Sequence, residues 1–493
     1  MSVATIDYPQ QGSGVSSVVL GLKPYSEYRD SGLPWLGQVP GHWEIKRLGA
    51  LLRERGEKND RGQITDVLSL MRERGVIPYG EKGRVGNKKS DNITRYKIVR
   101  PDDVVVNCMN VIIGSVGISR YTGCLSPVYY VLTRRFEEDN PNYLNAYFQT
   151  KLFQLSLVRI GNGILSHRMR IPMELLKCEL FPRPPTNEQA AIVRFLDHAT
   201  HRLDRAIRAK RKTIALLNEQ KQAIIHRAVT RGLDPDVPLK DSGIPWLGQI
   251  PAHWDTPLLG RCVTHIEQGW SPVASEGEFD ADQWAVLTLS SVRRGVFNPA
   301  AIKPVSKSAQ IPKGIEVANG DVLLTRSNTR DRVGDVCIVD GVRPKTILCD
   351  LIYRLTIQEK LLHPKFLVNQ LLSPYGRGLI ERDARGSSGT MPKISQSHIN
   401  SWRILLPPME EQQKIIASIN SETIHLVSTI QRIEREIELL REYRTRLIAD
   451  VVTGKLDVRE AAARLPQVEE APTEEPELAE MEESGEELAE ENA

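Results

Sequence analysis

Several things are missing from this chain. No stretch approaches the ~18 consecutive apolar residues of a membrane span, so a transmembrane helix is excluded. The N-terminus has no basic region followed by an apolar run and a cleavage site, so export is not expected. Only six cysteines occur in 493 residues, at 108, 124, 178, 262, 337 and 349, without CxxC or zinc-type spacing. Free thiols in a reducing cytoplasm are the expected state. There is no Gly-x4-Gly-Lys-Ser/Thr phosphate loop and no Gly-rich nucleotide fingerprint after a strand. The Asn-Pro-Pro-aromatic and Asp-Pro-Pro-Tyr motifs that hold a target amine in adenine methyltransferases are absent too. His198, His201 and Asp197 sit in a charged amphipathic stretch, which does not make a metal site. No catalytic residue, bound cofactor or metal ligand is expected of this chain.

Positive charge is missing from the C-terminal end, where negative charge is concentrated. Residues 466–493 hold twelve glutamates and no lysine or arginine. The formal charge of +3 therefore hides +15 on residues 1–465. A body that basic suits a polyanion. Residues 458–493, rich in Glu, Pro and Ala, are expected to be a disordered acidic tail. Its role is either solubility alone or screening of the basic body.

What the chain does have is repetition. Asp30 to Trp43 reads DSGLPWLGQVPGHW and Asp241 to Trp254 reads DSGIPWLGQIPAHW, with eleven of fourteen positions identical. A second pair, Pro184 to Asp234 and Pro407 to Asp457, aligns without a gap at an offset of 223. Both copies open Pro-Pro-x-x-Glu-Gln. The first repeat has an offset of 211, so the extra length of the second unit lies between the shared blocks. The chain is shared block, variable region, shared block, written twice. The expected boundaries are 1–21 as an N-terminal extension, 22–183, a first long helix over 184–234, 235–406, and a second long helix over 407–457. The twin His-Trp pairs, His42-Trp43 and His253-Trp254, repeat inside the shared block, which favours packing or partner contact over catalysis.

From Thr186 to about Thr230 there is no Pro or Gly, which predicts a helix ~65 Å long. Thr186 and Gln189 have capping-box spacing. Apolar residues keep a 3-4 rhythm in both copies. In the first the seam is Leu196, Leu203, Ile207, Ile214, Leu217 and Ile224; in the second, Ile419, Leu426, Ile430, Ile433, Ile437, Leu440 and Leu447. Each seam carries a cation at the same place, Lys221 and Arg444. A narrow apolar stripe needs a partner. Either the two helices pack as an antiparallel coiled coil with pseudo-two-fold symmetry, or each packs on its own globular domain.

The variable regions, 44–183 and 255–406, are rich in short β-type runs. Asp103 to Asn107 and Asp321 to Thr325 read as equivalent buried strands, with later strands at Val128 to Leu132 and Leu351 to Leu355. Each region is expected to be an α+β domain, similar in frame and different in ligand. Their loops are basic. The first offers Lys82, Arg84, Lys88, Lys89 and Arg95, near Tyr79 and Tyr96, and the second Arg293, Arg294, Arg326, Arg330 and Arg385. Near the end of each region a Gly-rich turn leads to a cation, Arg170 or Lys393, at the common offset of 223. Such cations neutralise phosphates, and arginine also reads base edges.

Three sets of residues carry a family resemblance. They are Tyr28-Arg-Asp-Ser-Gly, Trp35-Leu-Gly-x-Val-Pro-x-His-Trp43 with its repeat, and the two Pro-Pro-x-x-Glu-Gln openings. Over about residues 22–457 the sequence resembles the specificity subunit of type I restriction–modification systems. The resemblance implies two target recognition domains, each binding one half of a bipartite duplex DNA sequence. It also implies an antiparallel coiled coil that sets the separation of the halves. The implied partners are two methyltransferase subunits, which carry S-adenosylmethionine, and ATP- and Mg-dependent restriction subunits, in the cytoplasm and not at a membrane. The chain itself would be non-catalytic. Another reading of the residues is a coiled-coil adaptor whose variable domains bind proteins.

Overall fold

The structure is a computed structural model that describes residues 21–72, 74–83, 88–163, 169–244, 246–272, 282–384 and 391–466. The N-terminal extension before residue 21, the acidic tail from 467 on, Arg84, Arg385 and the Gly386–Gly389 turn lie outside the described residues. The start of the expected disordered tail, 458–466, is instead ordered: Arg459–Arg464 is a helix, and Val458 and Ala462 are buried in the unit 1 core.

The chain divides into two units, residues 1–208 with 436–493 and residues 209–435. The division falls inside both long helices. Each unit therefore holds one variable region, the N-terminal part of one long helix and the C-terminal part of the other.

Labels are given only to elements that recur in both units. Unit 1 carries β1 (Leu52–Glu54), β2 (Leu68–Met71), β3 (Gly75–Pro78), β4 (Val104–Asn107), β5 (Val116–Ile118) and β6 (Tyr129–Arg134), then α1 (Pro141–Phe148), α2 (Lys151–Leu157), α3 (Met173–Leu176) and the long α4 (Thr186–Arg231). Unit 2 carries β7 (Val263–Gln268), β8 (Val292–Arg293), β9 (Val296–Phe297), β10 (Val322–Thr325), β11 (Val336–Ile338) and β12 (Ile352–Ile357), then α5 (Pro364–Leu372), α6 (Pro374–Asp383), α7 (Gln396–Ser401) and the long α8 (Met409–Val452). The strands anticipated around residues 103–107, 128–132, 321–325 and 351–355 are β4, β6, β10 and β12.

The central sheets have one topology, β1-β6-β4-β5 in unit 1 and β7-β12-β10-β11 in unit 2, antiparallel throughout. Side chains alternate across each strand. In unit 1, Val104 and Val106 face a helix-side core with Tyr143, Tyr147, Phe148 and Phe153. Val105 and Val131 face the opposite core with Leu68, Leu70 and Val76 of the β2–β3 hairpin. In unit 2, Val322 and Leu324 face Phe366, Tyr375 and Trp402, while Leu323 faces Val292 and Phe297 of the β8–β9 hairpin. Burial on both faces explains the unbroken apolar runs that mark these strands in the sequence.

The long helices join these cores. In unit 1, Ile192, Phe195 and Leu196 of α4 share a core with Leu447, Val451 and Val452 of α8. Arg444 meets Asp204 at 2.8 Å. In unit 2, Ile225, Ala228 and Val229 of α4 share a core with Ile415 and Ile419 of α8. Arg227 and Glu422 approach to 3.5 Å. Within each unit the contacts run in opposite sequence order, so the segments lie antiparallel. Within each unit the helix segments touch each other and the core of that unit's variable region.

One expectation fails. Gln189 does not cap α4 in the manner of a capping box. It is fully buried; its amide donates to Pro184 O and Asp139 Oδ1, both at 3.0 Å, and its Oε1 accepts from Asn140 N–H at 2.8 Å. Gln412 repeats this with Pro407 O and the His363 N–H, at 2.9 and 2.8 Å. The glutamine ties each long helix to the start of α1 or α5.

Candidate nucleic-acid interface

The shared block is a clasp. Asp30 and Asp241 accept from the Gly32 and Gly243 N–H groups at 2.9 Å, and both glycines take a positive φ, +73° and +69°. This turn brings each His-Trp pair to a glutamate. Trp43 Nε1 donates to Glu188 at 2.9 Å and His42 Nε2 meets it at 2.8 Å; Tyr25 donates to it too. In unit 2, Trp254 and His253 reach Glu411 at 3.0 and 2.7 Å. Glu188 and Glu411 are the Glu of the two Pro-Pro-x-x-Glu-Gln motifs, so the two sequence repeats bind each other. The His-Trp pairs thus pack against these glutamates. On the other side, Gly454 at the end of α8 sits against Pro40 and Trp43, and Gly232 at the end of α4 sits against Trp254 and Pro251. Beyond Gly454 the Asp457 N–H donates to Lys23 O at 2.8 Å.

The clasp and sheet hold the variable loops. In unit 1, Tyr130 donates to Ile171 O at 3.0 Å, and in unit 2 Tyr353 donates to Ile394 O at 3.5 Å. These are equivalent pairs at the offset of 223, and the residue before each carbonyl is Arg170 or Lys393, both exposed. Burial pushes the hydroxyls of Tyr130 and Tyr353 above their ordinary value, with Arg170 and Arg326 pulling the other way.

The candidate cations differ in exposure. Lys88, Lys89 and Arg95 are exposed. Lys89 lies 5.8 Å from the Tyr79 ring centre and its N–H donates to Tyr79 Oη at 2.9 Å. Lys82 corrects the sequence reading: it is 8% exposed and lies 4.7 Å from the same ring centre, so it anchors the loop instead of offering its charge to solvent. In unit 2, Arg326 is half-buried, 5.9 Å from the Tyr353 ring centre, and Ser327 bridges to Lys393. Arg293, Arg294 and Arg330 are exposed. Along the helices, Leu196, Ile207, Ile419, Ile430, Ile433, Ile437 and Leu447 are buried, and Leu203, Ile214, Leu217, Ile224, Leu426 and Leu440 half-buried.

Sequence reasoning missed Arg72 and Arg74. Both are exposed in the turn between β2 and β3, a hairpin packed on the face of its sheet that corresponds to the one under the Arg293–Arg294 hairpin. The signal was present: Leu68-Ser-Leu-Met71 and Gly75-Val-Ile-Pro78 flank a short charged turn closed by glycine.

Among the described residues no group of three or more His, Cys, Asp or Glu could hold a metal ion. Nor, among the described residues, is any helix long and apolar enough to cross a membrane.

Residues 308–439 match the family profile of the type I restriction modification DNA specificity domain. The chain is 26% identical over 204 residues to the Escherichia coli type I restriction enzyme EcoEI specificity subunit, a match over 41% of this chain and 34% of that protein. So the chain spans about a third of the length of that relative. It is 24% identical over 452 residues to the MjaX specificity subunit of Methanocaldococcus jannaschii, covering 86% of this chain and 96% of that one. A chain solved in work on complex assembly and conformational transition of the type I R-M system shares its fold, with a TM-score of 0.57 and 16% identity over 84% of this chain and 98% of that one. Fold and clasp define a chain of two similarly built units. Over these spans the chain is similar to specificity subunits of type I restriction–modification systems.

Proposed function

We propose that this chain recognises a bipartite duplex DNA sequence, one half with each unit, and directs partner methyltransferase and restriction subunits to it. One observation carries the reading. Two heads are built on the same sheet, hairpin and clasp, yet their loops present different cations: Lys88, Lys89 and Arg95 in one, Arg293, Arg294, Arg326 and Arg330 in the other. A common frame with different tips suits two different half-sites on one polymer. The charge of +15 before the tail suits a phosphate backbone.

In this reading α4 and α8 form a long antiparallel coiled coil whose length sets the separation of the half-sites. S-adenosylmethionine belongs to two methyltransferase subunits, and ATP and Mg to restriction subunits. This chain supplies address and no chemistry. Arg170, Arg330 and Lys393 hold phosphates, and the loop and hairpin arginines read bases.

Mapping methylated adenine across the host genome, with and without this gene, tests the reading. Loss of one split motif on deletion is the expected result. An unchanged pattern with the protein expressed would overturn it in favour of an adaptor that binds proteins.

A further inference from the structure

Unit 2 spends an arginine where a glycine would fit without strain. The hairpin pairs Val292 with Phe297 and Arg293 with Val296, leaving Arg294 and Gly295 as a two-residue turn. Both have positive φ, +41° and +88°. A turn with that pair of backbone angles is ordinarily filled by Asn, Asp or Gly. An arginine in the left-handed region costs stability, and such costs gather at functional positions.

The turn is held, not loose. Gly295 N–H donates to Val336 O at 2.9 Å, and Arg294 N–H reaches Asp335 Oδ2 at 3.3 Å. Asp335 is 2% exposed and is braced by Arg377 at 3.8 Å. A side chain on Gly295 would strike Leu372. All of this fixes the backbone and leaves the Arg294 side chain exposed at the tip. Val296 beside it is 66% exposed, an apolar side chain that the core does not use.

Unit 1 has a corresponding hairpin, with neither Arg72 nor Arg74 at positive φ. Its β2–β3 hairpin packs on the corresponding face of its sheet, closes on Gly75 at φ +70°, and exposes Arg72 and Arg74. Gly75 meets Gly117 of β5 backbone to backbone, a Cβ on Gly117 falling 2.6 Å from the Gly75 Cα. The hairpins recur while their sequences differ.

We infer that the β8–β9 hairpin is the base-reading probe of unit 2, with Arg294 directed to a guanine edge and Val296 to a thymine methyl. A β-ribbon fits the major groove, arginine pairs with guanine O6 and N7, and an apolar side chain contacts the methyl. This rests on the DNA-reading function proposed above and names the element that sets one half-site.

Arg294→Gly is a clean test, because glycine suits the backbone and removes the exposed side chain with its guanidinium. The full chain carries the change in its host, and methylated adenine is mapped beside wild type. Discrimination should fall roughly 5- to 100-fold at one or two base pairs of a single half-site, with the other half-site unchanged. The thermal midpoint should not drop. Arg294→Asn, which also tolerates the left-handed region, should give the same relaxation. An unchanged motif at every position in both variants would overturn the inference while leaving DNA reading intact. Absence of any gene-dependent motif in wild type would sink the function itself, and this inference with it.

Discussion

Trp43 donates its indole N–H to Glu188 at 2.9 Å, across 145 residues of sequence. That bond joins the two repeated motifs, and it recurs between Trp254 and Glu411 at 3.0 Å. The copies are not equal in depth. The Glu188 side chain is 2% exposed and that of Glu411 27%.

The unequal depth predicts an unequal cost. Glu188→Ala leaves the Trp43 and Tyr25 donors buried without an acceptor and should destabilise unit 1 by about 3 kcal/mol. Water can replace Glu411, so Glu411→Ala should cost about 1 kcal/mol. Thermal and urea unfolding of the two variants checks the order. Equal losses would mean that the carboxylates do not carry the clasp.

Exposure sorts the cations. Binding to duplex DNA should weaken with salt, with roughly 0.9 of log–log slope per phosphate contact. Arg330→Ala and Lys393→Ala should each lower the slope by about one without changing the preferred sequence. Lys82→Ala should leave the slope alone, since Lys82 is spent on Tyr79. Fluorescence anisotropy over a salt series distinguishes the three.

Lys221 sits half-buried in the α4 seam. Burial pulls its pKa below the ordinary 10.5, with Glu434 opposing. The unfolded chain therefore holds this proton more tightly than the folded one. Lys221 costs stability at neutral pH, and the cost is relieved as pH rises from the folded value to the unfolded one. Lys221→Met should raise stability by about 1 kcal/mol at pH 7. It should also remove that alkaline gain. A calorimetric pH series reads both signs.

The proposed ruler is testable by length. Seven residues added to both α4 and α8 lengthen each by ~10 Å. The methylated target should then keep both half-sites and gain about three base pairs between them. An unchanged spacer would show that the helices do not set it.

The scaffold was legible because its signals are local or repeated. Periodicity gave α4 and α8, and short apolar runs gave β4, β6, β10 and β12. The glutamine in each Pro-Pro-x-x-Glu-Gln motif was misread as a cap because its partners, Asn140 and His363, lie about 49 residues upstream. Trp35 and Trp246 stand at the same place in the repeat and still differ. Trp35 is 4% exposed against Tyr147 and Phe153, whereas Trp246 is 52% exposed with Arg382 near its ring. At the positions of Tyr147 and Phe153, unit 2 has Gln370 and Gly376. An identical motif cannot reveal what a variable region more than a hundred residues away will set against it. Loop cations fail for a related reason: charge marks Lys82 and Lys89 alike, and only packing buries one of them.

The hydrogen bond from Asp457 to Lys23 has a consequence for the gene. Asp234 is the counterpart of both residues, of Lys23 in one repeat and of Asp457 in the other. What one unit secures with a peptide chain, the other secures by bringing two distant segments together. A circular permutant that joins 457 to 23 and opens at 234 would build both units from the same contacts.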